Sequence, residues 1–227
     1  MIKLRNTLVG VIAITMASFS SAFSFEGFSL GATYSSLDFN TSGNEVSEGT
    51  LGSGPTKNAT SKSGSGDIGS LFAEYTFAQG STIGIEMISG STEIGAGSRV
   101  EPASTTSGTV KVSAAISDPI TFYVEPTYMM SDTFGVYLKG GATSVSVEPK
   151  EVSDTGGVVT STYKAEDVYG IMTGFGAKFY MGNLFVKGEY VETDFETYHH
   201  TSTTGDKNSI DADISTEEYK LSVGYNF

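Results

Sequence analysis

Apolar residues alternate with small polar residues through eight segments of this chain. In residues 28–34, for example, the even positions carry Phe, Leu, Ala and Tyr, and the odd positions carry Ser, Gly and Thr. A period of two puts the two kinds of side chain on opposite faces of a β-strand. The segments are residues 28–34, 69–77, 83–87, 110–128, 134–146, 168–180, 184–195 and 215–227. The sequence therefore predicts an all-β fold with eight strands.

The links between these segments are alternately short and long. Three short links, at residues 78–80, 130–133 and 181–183, contain Gly, Asn, Ser or Asp, which favour turns. Long polar links join the other neighbours, and the longest is expected to be a Gly/Ser/Thr-rich loop at residues 40–67. The turns then lie at one end and the loops at the other, as in bacterial outer-membrane barrels. We predict a closed up-and-down antiparallel transmembrane β-barrel of eight strands.

The composition of the two strand faces indicates which face points outward. The polar face is rich in Gly, Ser and Thr, which suit the lumen of an eight-stranded barrel, where there is only just room for side chains. The apolar face carries aromatic residues close to the predicted turns, as an interfacial girdle would. These residues are Phe77, Phe122, Tyr128, Phe134, Phe179, Tyr225 and Phe227. We expect the apolar face to contact lipid; a soluble barrel that buries its apolar face is the alternative.

The N-terminus resembles an export signal. Lys3 and Arg5 precede a short apolar stretch at residues 8–16, and small residues follow at 20–22. This order is typical of a secretory signal peptide. No later segment approaches the 18 consecutive apolar residues of a membrane-spanning helix. We predict that residues 1–22 are a cleaved signal peptide and residues 23–227 a barrel domain in the outer membrane of a Gram-negative cell.

The chain is strongly acidic and lacks cysteine. It holds 26 Asp and Glu against 13 Lys and Arg. Nucleic-acid binding needs a basic surface, so this class of function is excluded. The absence of cysteine excludes disulfides and thiolate metal sites. We expect no metal and no cofactor.

Eight charged residues lie on the predicted polar faces at similar distances from the turns. The acids are mostly on the second to fourth strands and the bases on the fifth to eighth, so they face each other across a closed lumen. An unpaired buried charge is costly, whereas a paired and hydrogen-bonded one is tolerated. We predict that four acids and four bases form a network that closes the lumen to ions. The residues are Glu74, Glu86, Glu125, Lys139, Lys178, Lys187, Glu189 and Lys220.

The charge that remains outside this network is acidic and is expected in the outer loops. A faint calcium-like pair, Asp211 and Asp213, lacks the glycine and terminal glutamate of a calcium loop. Outer-membrane lipids and lipopolysaccharide are the expected surroundings, and the loops could bind an extracellular ligand. The loop acids are Glu45, Glu48, Glu148, Glu151, Asp154, Glu192, Asp194, Glu196, Asp206, Asp211 and Asp213.

The last predicted strand ends in the most specific motif of the chain. Alternating apolar residues lead to a glycine, an aromatic residue and a terminal phenylalanine; the residues are Tyr219, Leu221, Val223, Gly224, Tyr225 and Phe227. This motif resembles the C-terminal signal that the barrel-assembly machinery recognises. The chain as a whole resembles the eight-stranded outer-membrane barrel family that includes OmpX, OmpW and the membrane domain of OmpA. That resemblance implies the assembly machinery as a partner.

Three functions are compatible with this resemblance. The first is a non-enzymatic structural or surface barrel that acts through acidic outer loops. The second is a narrow conduit for small hydrophobic solutes, with Ile88, Val145 and Val191 as candidate lining residues. The third is a lipid A-modifying enzyme.

The enzyme alternative depends on a short motif after the seventh strand. His200 and Ser202 resemble the His-x-Ser pair of barrel-type lipid A deacylases. Thr203 stands where that family has asparagine, and Glu217 is the nearest candidate acid. His199 and His200 are expected in a loop, away from a strand face. We therefore predict that the protein is not an enzyme.

Overall fold

The structure is a computed structural model that describes residues 26–47, 56–88, 91–101, 108–155, 165–201 and 209–227. In this part of the chain every regular element is a β-strand, and no helix is long and apolar enough to cross a membrane. The strands are β1 (Gly27–Ser47), β2 (Thr56–Thr76), β3 (Thr82–Ile88), β4 (Ser91–Glu101), β5 (Gly108–Glu125), β6 (Thr127–Met129), β7 (Phe134–Thr155), β8 (Glu166–Met181), β9 (Leu184–Phe195), β10 (Tyr198–Thr201) and β11 (Ser209–Asn226).

These strands form one closed antiparallel sheet. Three passes through the wall are interrupted, so β3 with β4, β5 with β6, and β9 with β10 each make one of eight passes. Neighbouring passes pair in sequence order, and β1 closes the ring by pairing with β11 from Ser29↔Asn226 to Val46↔Ser209. The predicted up-and-down barrel is confirmed. Closure satisfies the backbone hydrogen bonds that lipid could not satisfy.

The outer surface of the barrel is apolar. Large side chains such as Leu71, Phe122 and Phe175 are between 59% and 65% exposed. A soluble protein rarely exposes so many large apolar side chains together, whereas a membrane barrel presents them to lipid. The assignment of the apolar stripe to the outer face is therefore confirmed.

Glycines on the inner face make room for large aromatic side chains. A Cβ atom at Gly31 would overlap the ring of Phe72, and one at Gly224 would overlap the ring of Phe185. The lumen is thus filled by a few large rings lying against bare backbone, and small polar residues fill only part of it. This arrangement gives the inner glycines a packing role.

Several strands extend further from the turns than the sequence predicts. β1 and β2 stay paired from Asn40↔Ser63 to Ser47↔Thr56. The predicted loop at 40–67 is therefore wrong for its described parts, 40–47 and 56–67; residues 48–55 lie outside the described residues. Strand pairing uses backbone hydrogen bonds, so polar segments rich in Ser and Thr can continue a ladder without any apolar alternation.

The same correction applies to several acids and to the two histidines. Most of the described acids predicted in loops lie on strands: Glu45 on β1, Glu148, Glu151 and Asp154 on β7, Glu192 and Asp194 on β9, and Asp211 and Asp213 on β11. Glu196 lies between β9 and β10. His199 and His200 belong to β10, which pairs with β11. Glu48, Asp206, Ser202 and Thr203 lie outside the described residues, as does the predicted signal peptide at 1–22. The acidic surface is therefore largely a strand surface in the part of the barrel away from the turns.

Candidate functional site

Eight charged side chains are buried inside the barrel at a common level. Strand alternation turns each of them inward, and none is more than 7% exposed. They come from seven of the eight passes, so the wall surrounds them on all sides. Their positions are Glu74 on β2, Glu86 on β3, Glu125 on β5, Lys139 on β7, Lys178 on β8, Lys187 and Glu189 on β9, and Lys220 on β11.

The carboxylate of Glu125 lies at the centre of the larger of two ion-pair clusters. Its oxygens are 3.0 Å from Lys187 Nζ, 3.2 Å from Lys178 Nζ and 3.3 Å from Lys139 Nζ. Glu125 itself is fully buried. One carboxylate thus holds three ammonium groups from three other strands.

Two further acids complete this cluster. Glu74 lies 2.8 Å from Lys187 Nζ and 3.6 Å from Lys178 Nζ, and Glu189 lies 2.7 Å from Lys139 Nζ. The cluster therefore has three acids and three bases, and its contacts cross the lumen from β2 and β5 to β8 and β9. Such a buried, balanced and hydrogen-bonded set is the form in which charges are tolerated in an interior.

Neutral side chains satisfy further positions of the central cluster. The Tyr123 hydroxyl donates to Glu74 at 2.9 Å, and Lys178 donates to the Thr82 hydroxyl at 3.0 Å. Lys139 Nζ lies 4.0 Å from the centre of the Tyr123 ring, and Lys187 Nζ lies 4.7 Å from that of Phe72. Cation–π contacts of this kind stabilise ammonium groups that have lost water.

A smaller cluster surrounds Lys220 on β11. Its ammonium lies 2.8 Å from Glu86 and 3.5 Å from Glu218, and Ser70 donates a hydrogen bond to Glu86. Glu218 is absent from the sequence prediction, which balances four acids against four bases. It lies two residues before Lys220 and therefore shares its inward face, a parity that could have identified it. With Glu218, the two clusters contain five acids and four bases.

Apolar layers lie on both sides of the charged residues. Toward the turns, Met129, Tyr180 and Phe185 pack together with Phe72. Tyr123, Met172 and Val191 form a second group. Further from the turns, a third layer fills the interior; it consists of Val145, Val147, Val168, Tyr198 and Ile214, with Phe39, Ile116, Phe195 and Ala212 against it.

The three candidate lining residues of a solute conduit do not form one surface. Val145 belongs to the layer furthest from the turns, and Val191 is fully buried in the group beside the ion pairs. Ile88 is half-buried at the end of β3.

The candidate enzyme residues lie on different faces of the wall. The His200 ring is buried in the interior, stacked on Tyr198 at 6.1 Å between ring centres, with Nδ1 3.9 Å from Glu166. Glu217 faces outward and accepts a hydrogen bond from Tyr190. The structure therefore does not bring Glu217 to His200, because their strand positions point in opposite directions. His199 is exposed and pairs with Asp211.

The C-terminal motif lies on β11, the strand that closes the ring. Tyr219, Leu221, Val223 and Tyr225 are exposed on the outer face, while Gly224 is buried against the Phe185 ring. Phe227 follows the strand and is 70% exposed. Among the described residues, no group of three or more His, Cys, Asp or Glu could hold a metal ion.

A closed antiparallel wall with an apolar outside and an ionic lumen defines a transmembrane β-barrel. The chain belongs to the outer membrane protein beta-barrel domain family, whose model matches residues 7–227. Its location is the outer membrane.

Several solved outer-membrane proteins are similar to this chain. Neisserial surface protein A is 13% identical with a TM-score of 0.43, and the match covers 87% of this chain and 99% of that one. OprG from Pseudomonas aeruginosa is 13% identical with a TM-score of 0.48, covering 89% and 96%. The outer membrane protease OmpT from Escherichia coli is 8% identical with a TM-score of 0.46, covering 93% and 100%. No curated protein sequence matches the chain.

Proposed function

We propose that this protein is a non-enzymatic structural and surface barrel whose lumen is closed by the Glu–Lys network. The observation that carries the proposal is the cluster around Glu125, which connects opposite walls through contacts of 2.7 to 3.6 Å. An eight-stranded barrel has little room beyond its own side chains. An ion moving along the axis would have to separate buried charge pairs, which is strongly unfavourable.

A liposome-swelling assay tests the closed lumen against small hydrophilic solutes. Vesicles containing the purified barrel should swell in arabinose no faster than protein-free vesicles. A general porin reconstituted at the same protein-to-lipid ratio is the positive control. Swelling that scales with the amount of folded barrel would contradict the proposal.

We also propose that the acidic strand extensions face the cell exterior, where lipopolysaccharide and extracellular ligands are found. Support comes from the position of the turns, which are short and lie at the opposite end, as periplasmic turns do. The chain contains no cysteine, so an introduced cysteine is the only thiol that a maleimide can label. A membrane-impermeant maleimide should label Ser65→Cys on intact cells and should not label Ser131→Cys until the outer membrane is opened. The reverse labelling pattern would contradict this orientation.

The third proposal concerns assembly. β11 pairs with β1 to close the barrel and carries the alternating outer residues that resemble an assembly signal. We expect the barrel-assembly machinery to bind this strand through Tyr225 and Phe227 before the ring closes. A pulse-chase measurement of folded barrel in cells carrying Phe227→Ala should show slower assembly. Unchanged assembly would remove the C-terminal residue from this role.

A second candidate function, a conduit for small hydrophobic solutes, is favoured by a weakness in the wall. The described pairings of β5 skip Asp118 and Pro119 on both sides, and proline lacks a backbone donor. Among the described residues, β4 pairs only with β5, and the pairing between β2 and β3 ends at Ser70↔Ile88. The interior at this end is apolar, so an apolar solute could enter there and leave sideways into lipid without crossing the ion pairs.

Uptake of a fluorescent apolar solute into barrel-containing liposomes separates the two functions. A conduit predicts uptake that Val145→Glu abolishes, because a charge would then stand in the apolar layer. Ser146→Glu, one residue along β7 and facing outward, is the matched control. If the barrel does not increase uptake, the conduit is excluded and the structural function remains.

A further inference from the structure

An aromatic row crosses the lipid-facing surface of β8, β9 and β11. Phe175, Tyr190 and Tyr219 are directly opposite neighbours in the registers of these strands. Their ring centres are 5.7 Å apart for Phe175 and Tyr190, and 5.1 Å apart for Tyr190 and Tyr219. All three rings belong to the outer face of the wall. The row forms an aromatic shelf at a single level.

An acidic row lies directly beyond this shelf, two residues further from the turns. Glu192, Glu217 and Asp38 are opposite neighbours across β9, β11 and β1, and all three are exposed. The Tyr190 hydroxyl lies 2.7 Å from Glu192 and 3.2 Å from Glu217. Like charges directly opposite each other are unfavourable, so a cation placed between them would be stabilised.

The four strands of this face offer no cation of their own to the acids. Their described residues contain three lysines, Lys178, Lys187 and Lys220. Each of the three is buried in the lumen and pairs there with carboxylates. Among the described residues of these four strands, no lysine or arginine therefore lies on the outer face beside these acids.

An apolar depression of about 910 Å³ lies on the turn side of the aromatic shelf. Leu138, Phe175 and Tyr190 stand at its walls, and Ala177 and Gly188, which are register partners, form its floor. A side chain at Gly188 would meet open space. Because this surface lies in the membrane, an acyl chain is the group that fills such a depression.

We propose that this face binds a membrane lipid whose headgroup carries a primary ammonium. One acyl chain lies in the depression, and the ammonium lies over Tyr190 and Tyr219 between Glu192 and Glu217. The choice of occupant rests on charge complementarity. An ammonium gains charge-assisted hydrogen bonds and cation–π contacts here, whereas an anionic headgroup meets a row of carboxylates.

Fluorescence quenching by brominated lipids tests this proposal, because the chain has no tryptophan. Phe175→Trp places a reporter in the shelf, and Phe122→Trp places a matched reporter on β5, where the residue is 62% exposed. Each variant is reconstituted in phosphatidylcholine vesicles with rising fractions of brominated phosphatidylethanolamine or brominated phosphatidylglycerol. The F175W reporter should be half-quenched at an about three- to tenfold lower fraction of the ethanolamine lipid. The F122W reporter should show no such headgroup difference.

Removing the acids gives the decisive comparison. In the F175W background, the double substitution Glu192→Gln and Glu217→Gln should bring the two lipids to within about twofold of each other. Molar NaCl should weaken the preference in F175W itself, which supplies a reading that does not depend on the folding of the double variant. Equal quenching by both lipids at Phe175→Trp would overturn the proposal, as would a preference that survives the double substitution. Selection of the glycerol lipid that EDTA abolishes would also overturn it, because a divalent cation would then bridge an anionic lipid.

Discussion

Neutralising Glu125 should destabilise the barrel more than any other single charge removal, because this carboxylate holds three lysines. After Glu125→Gln, Lys187 keeps Glu74 at 2.8 Å and Lys139 keeps Glu189 at 2.7 Å. Lys178 keeps the 3.6 Å contact with Glu74, its hydrogen bond to Thr82 and longer contacts with aromatic rings. The cluster then has one ammonium too many in a closed interior. Loss of one partner from a buried charge pair costs about 3–5 kcal/mol, and we expect a loss of this size in the free energy of unfolding.

A charge-balanced double variant shows whether the excess ammonium is the cause. Lys178→Met in the Glu125→Gln background removes the base that loses most and keeps a side chain of similar length. The double variant should recover about half of the loss, since replacing buried ion pairs by apolar groups of similar size is often close to neutral. Recovery of this kind cannot come from a general loss of packing at Glu125.

Urea unfolding in lipid vesicles, followed by far-UV circular dichroism and by heat-dependent gel mobility, measures these differences. Glu148→Gln is the matched control, because Glu148 is exposed on β7; its effect should stay within about 0.5 kcal/mol. If Glu125→Gln costs less than about 1 kcal/mol, the carboxylate does not hold the cluster together and the reasoning fails. The reasoning also fails if Lys178→Met adds to the loss.

Two other predictions follow from packing and from strand closure. Gly224→Val should lower the free energy of unfolding by about 1–3 kcal/mol, because its side chain would overlap Phe185. Gly188→Ala is the control: its added methyl group points into open space and should leave the urea midpoint unchanged. Equal midpoints for the two variants would contradict the packing role of Gly224. Thr33→Val should cost about 1 kcal/mol in the same assay, because it removes the 2.8 Å hydrogen bond to Ser222 across the β1–β11 closure; no change would mean that this bond adds nothing to closure.

The wall of the barrel could be predicted from the sequence because lipid imposes a strict alternation. Within the membrane each strand must show apolar residues on one face only, so the period of two is strong and the short turns are easy to identify. Beyond the membrane both faces of β1 and β2 are polar, and the alternation disappears although the backbone pairing continues to Ser47↔Thr56. Strand length outside the lipid therefore could not be read from hydrophobicity.

The positions of the charged lumen residues could also be obtained from parity and from distance to the turns. The pairing among them could not, because it depends on the tilt of the strands and on which side chains meet across the lumen. Parity could also have identified Glu218, but this half-buried residue lies further from the turns than the predicted layer of eight charges. The inward position of His200 could not be predicted, because β10 has only four residues and their sequence does not alternate between apolar and polar residues.

Electrical recording from a planar lipid bilayer tests the closed lumen most directly. The purified, heat-modifiable monomer is inserted into the bilayer, and current is followed at constant voltage in molar KCl. If the Glu125 cluster closes the lumen, insertion leaves the current at its baseline, with no steady step per molecule. A steady, reproducible conductance step from each inserted wild-type monomer would show an open path for ions and would contradict the account.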